Sequence, residues 1–391
     1  MVRVAILGQG YVGTIFAWGL ARLKKGLLEP WGVPLARVDF GVPVESLEIV
    51  ASFDVDAAKV GRSLYEIAHG YGLEPEPELK EVAVSPGLKL GSTPSFIKTA
   101  ALDDGRPLED ALARFRELLD DTRPDVLIDV TTTVRSRPLF TWEEAERRAA
   151  EGSLPHSQVY AYLALERSGV AYVNAQPAHV ACSPAFVERA AEVGSLVLGD
   201  DGATGATPLT VDIAEHLAER NRRVLSVAQF NIGGNTDFLS LTEPERNLAK
   251  EETKSGFLED VLGYEPPHFI RPTGYLEPLG DRKFVAMHIQ WVSFGGFVDE
   301  LVVNMRINDS PALAGYLVDL ARLAYASLRA GVYGTVPEIN LFYMKRPGPL
   351  GTRHKAKILA YRDLLSFVER LGKSRGLPAR EAVTRARASS P

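Results

Sequence analysis

Two kinds of residue in this 391-residue chain could do chemistry through their type and spacing: glycines closing an apolar run, and lysines beside apolar sequence. Near the start, Gly8-Gln9-Gly10-Tyr11-Val12-Gly13 follows the run VRVAIL and opens a stretch with helical periodicity. In that strand–loop–helix context the spacing is a dinucleotide fingerprint. Gly8 allows the tight turn, Gly10 lets the backbone approach a pyrophosphate, and Gly13 permits close helix–strand packing. The helix start, with Tyr11 and Val12 in its first turn, offers N–H groups and positive dipole to phosphates. The second apolar run, LEIVASFD, ends in Asp54. A carboxylate there can accept both adenosine ribose hydroxyls and repel a 2′-phosphate, so the expected cofactor is NAD rather than NADP. Its distance from the loop exceeds the usual spacing of roughly 20 residues. A Pro-, Gly- and charge-rich excursion at residues 24–44 accounts for the extra length, and Asp56 is the rival carboxylate.

A second anion site is suggested by Thr204-Gly205-Ala206-Thr207-Pro208. Pro208 suits the first position of a helix and Thr207 the cap before it. Small residues at a helix start can hold a phosphate, although an ordinary capped helix accounts for the same residues. Lys283 precedes FVAM and Lys345 follows NLFYM, so both are expected near a core. Lys250 and Lys254, taken singly, read as solvated surface. The seven histidines are scattered without ligand spacing. An all-protein metal cage is therefore not expected, and Asp200 or Asp201 could at most help hold a hydrated divalent or monovalent cation. Cys182 reads as packing, and a lone cysteine allows no intrachain disulfide.

The elements that must position these residues follow from periodicity. Residues 2–7, 47–54, 125–130, 170–174 and 196–199 read as strands, most of them buried, alternating with helices near 14–23, 107–119, 156–167 and 184–193. That alternation predicts a parallel, doubly wound sheet. Beyond residue 200 the period becomes two, at 223–231, 283–292 and 299–307, which predicts a second, more antiparallel sheet with one wet face. Helical patterning returns at 311–328 and 354–371. The tail 373–391 is basic, short of large apolar residues, and expected to be mobile. The fold class expected is α/β: a doubly wound Rossmann-type NAD-binding domain, residues 1–195 and 310–391, with an inserted α+β catalytic and oligomerisation domain, residues 196–309.

Apolar residues make up 46% and charged residues 24%, an ordinary globular balance. The net charge of −6 gives no sign of a nucleic-acid partner. No apolar run reaches the roughly 18 residues that span a bilayer, and the short apolar start is no signal peptide. A soluble, cytoplasmic protein is expected.

With these residues in view, the chain resembles the myo-inositol-1-phosphate synthase family. The resemblance rests on the glycine loop, FDVDAAKVG, VNAQP, LGDDGATGAT, NIGGNTDFLSL, the Lys250/Lys254 pair, GDRKFVAM and FYMKRP, in that order along most of the chain. It implies NAD-dependent, redox-neutral cyclisation of glucose 6-phosphate to 1L-myo-inositol 1-phosphate, through oxidation at carbon 5, enolisation, an intramolecular aldol step and reduction. By position, Lys250 and Lys283 match family residues near the carbon 5 oxygen, and Lys345 the one near the enolate and aldehyde oxygens. Lys254 and Thr204–Thr207 match the phosphate cradle. Asp201, Asn235 and Asp237 match residues that place the nicotinamide, the sugar hydroxyls and the lysines. Thr131, Asn174 and Asp200 are expected on the cofactor side. Crowding among cations is expected to lower the lysine pKa values. A homotetramer is implied. Where many members carry Lys-Ser-Gly in the phosphate loop, this chain has Ala203-Thr204-Gly205.

Three other readings compete. A non-catalytic NAD-binding regulator descended from such a synthase would be expected to lose the lysines, and they are present. A simple NAD-linked dehydrogenase of homoserine dehydrogenase-like plan would show one lysine–aspartate pair rather than four lysines in ordered motifs. A synthase paralogue acting on another sugar phosphate would share every motif.

Overall fold

The computed structural model describes residues 1–252 and 256–373. In chain order its elements begin with β1 (Val2–Leu7), α1 (Tyr11–Lys24), β2 (Leu47–Asp54), α2 (Leu64–Gly70), β3 (Val84–Pro86) and α3 (Leu108–Thr122). There follow β4 (Val126–Asp129), α4 (Trp142–Ala150), α5 (His156–Ala164), β5 (Ala171–Asn174), α6 (Pro184–Glu192) and β6 (Leu196–Leu198). The strands form one parallel sheet in the order β3-β2-β1-β4-β5-β6. That is the doubly wound order whose direction reverses between β1 and β4, and ligands of such sheets bind outside the strand ends at that reversal. β1 is the central strand, buried everywhere except at Arg3, whose guanidinium reaches out to the carbonyls of Thr122 and Arg123.

Gly8 and Gly13 are needed sterically. Gly8 has φ +94°, and a Cβ there would lie 2.8 Å from the Thr131 backbone. A Cβ on Gly13 would lie 2.6 Å from the Gly8 carbonyl oxygen. The α1 start is thereby drawn against the end of β4, at the sheet reversal.

The chain then leaves this sheet through α7 (Thr207–Ala218), β7 (Arg223–Gly233), α8 (Thr236–Ser240), α9 (Pro244–Glu252), α10 (Phe257–Leu262), β8 (His268–Tyr275), β9 (Arg282–Val292) and β10 (Val298–Asn308). The second sheet runs β10-β9-β7-β8. The β10–β9 and β9–β7 pairings are antiparallel, and β7–β8 is parallel. Val285, Met287 and Ile289 of β9 pack inward with Val211 and Leu217 of α7 and Phe257 and Leu258 of α10. The opposite face is open, with Phe230 44% and Val302 62% exposed. The period-two segments are β7, β9 and β10; β8 was not expected.

Finally α11 (Asp309–Arg329), α12 (Pro337–Tyr343) and α13 (Lys357–Lys373) return to the first sheet. α11 packs against α1, β4 and β5. Its buried Arg322 donates to the carbonyls of Leu35, Val38 and Val42 and pairs with Asp319. The excursion after α1 is therefore strapped down from the far end of the sequence.

One local expectation is corrected. Thr207 does not cap α7: it is already the first helical residue, Ala206 stands at the cap with αR backbone (φ −84°, ψ −18°), and no side chain caps the helix. The chain enters the helix one residue early, and Pro208 sits second. The basic tail beyond residue 373 lies outside the described residues.

Candidate active site

A cavity of about 550 Å³ opens at the sheet reversal, between the two sheets. Gly8, Gly10, Tyr11 and Val12 form one wall, with Asp54 at the end of β2 and Thr131 after β4. A Cβ on Gly10 would meet nothing within 4 Å, so the backbone there is open to an approaching group. Asp54 is held in place by its neighbours. Its Oδ2 accepts from the Gln9 N–H (2.7 Å), and its Oδ1 from the N–H groups of Val55 (2.7 Å) and Asp56 (2.8 Å). Lys59, not foreseen, lies 3.4 Å from both Asp54 and Asp56. Burial works against its charge, but the two carboxylates outweigh that and hold its pKa above the ordinary value.

The opposite wall carries the lysines. Asp201 is fully buried with φ +61°. Its Oδ1 accepts from Lys250 Nζ at 3.1 Å and from Lys345 Nζ at 3.2 Å. Lys283 Nζ lies 3.3 Å from Asp309 Oδ2 and above the Phe238 ring. Thr204 Oγ1 donates to the other Asp309 oxygen at 3.2 Å. Gly205 (φ +72°) leaves room for this, since a Cβ there would sit 2.7 Å from Lys283 Nζ. Asn235 caps α8 by accepting from the Phe238 N–H, and donates to Asp281 at 2.9 Å. Asp237 accepts from Thr133 Oγ1 at 3.4 Å. The three lysines, Asp201, Asn235, Asp237 and Thr204 all line the cavity with the glycine loop.

The lysines differ in charge balance. Burial lowers the Lys345 pKa, and Lys250 and Lys283 add to that against the pull of Asp201 and Asp309. Burial also opposes the charge on Lys250, but Asp201 and Asp237 prevail and push it up to about 12. The expectation of lowered lysine pKa values thus holds for Lys345 and is corrected for Lys250, because carboxylates crowd the latter as closely as cations do. Asp309 would be raised by burial, yet Lys283, Lys345 and Lys250 hold it low. Lys250 is also no surface residue, its side chain being 12% exposed.

Other expected site residues fall elsewhere. Asn174 and Asp200 are buried beneath the site and do not line the cavity. Asn174 Nδ2 donates to Asp200 and to the Ala178 carbonyl. Asp200 also accepts from the N–H groups of Val180, Ala181 and Cys182. With four donors on its two oxygens, Asp200 braces the 175–182 loop rather than facing a cofactor or a cation. Gly13 acts through packing, and Ala206 and Thr207 are buried behind Thr204. Lys254 lies outside the described residues. Among the described residues no three of His, Cys, Asp and Glu come together as metal ligands. Sequence reasoning missed Asp309, which looks like an ordinary acid at the start of a helix. It also missed His156, whose Nδ1 meets Ser92 Oγ (2.5 Å) and whose Nε2 meets Thr131 Oγ1 (2.9 Å) inside the cavity wall. Neither carries a local pattern.

Known proteins are similar to this chain in sequence and fold. The family model for myo-inositol-1-phosphate synthase matches residues 205–310. A myo-inositol-1-phosphate synthase-related protein of Thermotoga maritima is 46% identical, covers 94% of this chain and 98% of its own, and superposes with a TM-score of 0.88. The inositol-3-phosphate synthase of Corynebacterium glutamicum is 27% identical over 88% of this chain and 93% of its own. That of Mycolicibacterium smegmatis is 27% identical over 94% and 98%. An inositol-3-phosphate synthase structure from Caenorhabditis elegans, 17% identical, covers 95% of this chain and 86% of its own with a TM-score of 0.82, and so shares the fold. A cavity walled by a glycine loop on one side and by paired lysines and aspartates on the other, in a chain this similar along nearly its whole length, means that the protein belongs to the myo-inositol-1-phosphate synthase family of isomerase-type enzymes.

Proposed function

We propose that this chain uses NAD to convert glucose 6-phosphate into 1L-myo-inositol 1-phosphate without net redox change. The observation that carries this reading is the convergence of Lys250, Lys283 and Lys345, from three distant segments, on the cavity walled by the glycine loop. A dehydrogenase needs one proton acceptor; three lysines suit a reaction in which several oxygens bear charge in turn. The residues also fit the cofactor: Gly10 leaves space for a pyrophosphate, and Asp54 stands where a ribose would lie.

When bound, NAD supplies the hydride acceptor and, later, the hydride donor. The chain does the remainder. Lys345, shifted toward its neutral form, takes the proton from the carbon 5 hydroxyl as the ketone forms. Lys250, its charge held by Asp201 and Asp237, and Lys283, paired with Asp309, face the ketone oxygen, which makes the proton on carbon 6 more acidic. The substrate's own phosphate takes that proton; after the enolate closes on the aldehyde, Lys345 gives its proton to the new alkoxide at carbon 1, and the phosphate returns the other to the carbon 5 oxygen as the ketone is reduced. Thr204, Gly205 and, from its place in the sequence, Lys254 hold the phosphate. Residues 196–309 form the catalytic part, and the open face of the β7–β10 sheet builds a homotetramer. A cytoplasmic setting suits the chemistry, and among the described residues no helix is long and apolar enough to cross a membrane.

Incubation with glucose 6-phosphate and NAD+, followed by phosphorus and proton NMR, is expected to show inositol phosphate with no net NADH. Stoichiometric NADH without a cyclised product would instead mark a dehydrogenase. One feature favours a second substrate reading. Ala203, where many members have lysine, is fully buried and its N–H is bound to the Tyr343 carbonyl, so this loop offers no cation to a phosphate. Cyclisation of another sugar phosphate in preference to glucose 6-phosphate in the same assay would establish that reading.

The cofactor assignment has its own test. Asp54→Ala removes a ribose acceptor and a charge repelling a 2′-phosphate. Hydrogen bonds to a charged group contribute about 1.5–3 kcal/mol, so NAD+ binding is expected to weaken about 10- to 100-fold while NADP+ binding weakens less. Titration calorimetry with both dinucleotides measures this; an effect from Asp56→Ala and none from Asp54→Ala would transfer the role to Asp56.

A further inference from the structure

Among the described residues Arg246 is one of two buried arginines, 7% exposed, and it does not line the cavity. It sits on α9, four residues before Lys250, and so on the same helix face. Its guanidinium spreads over three segments. Nε donates to Glu243 at 2.6 Å, Nη2 to the Ser92 carbonyl at 2.6 Å, and Nη1 to the Thr133 carbonyl. Ser92 belongs to the loop after β3, and Thr133 follows the end of β4 beside Thr131. Glu243 also accepts from the Ser95 N–H. The helix carrying Lys250 is thus fastened, one turn from that lysine, to two loops of the sheet that carries the glycine loop.

We infer that Arg246 is a positioning residue for Lys250, setting its distance from the cofactor side of the cavity through the Ser92 and Thr133 carbonyls. A planar three-way fork is required, which lysine lacks. The inference rests on the catalytic reading of Lys250, and it adds a residue that the reading does not contain.

The test is amine footprinting of the free protein with an acetylating reagent, read by mass spectrometry, on wild type, Arg246→Met and Glu243→Gln. Lys250 is expected to react several-fold faster in Arg246→Met, with Lys283 unchanged and Lys345 altered less than Lys250. Glu243→Gln should move Lys250 the same way by less. With glucose 6-phosphate, Arg246→Met should lose about 10²-fold in kcat, the scale of a small misplacement, with KM little altered. Arg246→Lys should recover only part of the loss. Unchanged Lys250 labelling in Arg246→Met, or equal exposure of all three lysines, would overturn the inference. If Arg246→Met does not fold, Glu243→Gln decides by the same criterion. Because labelling needs no turnover, absence of inositol phosphate in the wild type would sink the catalytic reading and leave this result standing.

Discussion

Lys283→Met is expected to cut turnover of glucose 6-phosphate by at least 10²–10³, the scale on which one preorganised charge stabilises an oxyanion. Methionine keeps the length and apolar contacts of the stem, so the buried wall formed by β9 and Phe238 stays filled. What goes is an ammonium whose position is over-determined, by Asp309 at 3.3 Å, by the Phe238 ring, and by a glycine that leaves it space. Asp309 then loses the first-named cation holding its pKa low. Its carboxylate binds a proton more readily, and Thr204 loses part of its anchor. NAD+ affinity should stay within a few-fold, because the glycine loop and Asp54 lie on the opposite wall. The measurement follows NADH absorbance and inositol phosphate together, with NAD+ binding by calorimetry. Full activity in Lys283→Met would leave the reaction class standing and break the assignment of this lysine.

Asp201→Asn is expected to be nearly as severe, for a different reason. One carboxylate oxygen is the shared acceptor of two ammoniums. The amide keeps the shape but removes the counter-charge, leaving two buried cations facing each other. Breaking a buried ion pair this way costs about 3–5 kcal/mol. Lys345, already shifted down, moves further toward the neutral amine, so the limb on which kcat rises with pH shifts to lower pH. The stability difference has a definite sign. In the wild type the Lys250 pKa is raised from 10.5 to about 12, so its contribution is full below 10.5 and lost as pH rises through about 12. Lys345 has a lowered folded pKa, so burying it costs stability that is recovered as pH rises toward 10.5, and Asp201→Asn enlarges that cost. Both effects make the gap between wild type and Asp201→Asn widest near neutrality and narrower at alkaline pH. Urea unfolding across that range checks it, and a gap independent of pH would show that Asp201 does not balance these lysines.

Much of the glycine-loop wall was legible because it is local. A strand, three glycines and a helix start occupy a dozen consecutive residues, and Asp54 ends the next strand, however long the excursion between them. The lysine wall is another matter. Periodicity showed that Lys283 and Lys345 adjoin apolar sequence, but α9 is short and charged, and its pattern alone left Lys250 on the surface. It is tertiary pairing, with Asp201 49 positions away, that holds it in the cavity wall. Strand β8 was invisible because Arg271, Pro272 and Gly274 break its alternation. It is an edge strand, where proline costs no ladder hydrogen bond on the open side. Helix α4 has only Ala145 and Ala149 as its buried stripe, too little apolar surface to read among its charges. Asp200 and Asp201 are neighbours with opposite fates, one sunk under four donors and one facing the lysines. That difference comes from tertiary context, which no spacing rule contains.

The return of α11–α13 to the first sheet bears on how the chain is made. The core around β1 joins Val2, Val4 and Ile6 to Leu317, Leu320, Phe367 and Leu371. A ribosome releases the first of these side chains long before the last. While β7–β10 is being synthesised, one flank of the earlier sheet waits with apolar side chains uncovered and the 24–44 excursion without its Arg322 strap. Contacts this distant along a sequence are slow to form, and surfaces left open meanwhile invite aggregation. The first sheet is therefore expected to be completed late in synthesis, as the final helices dock.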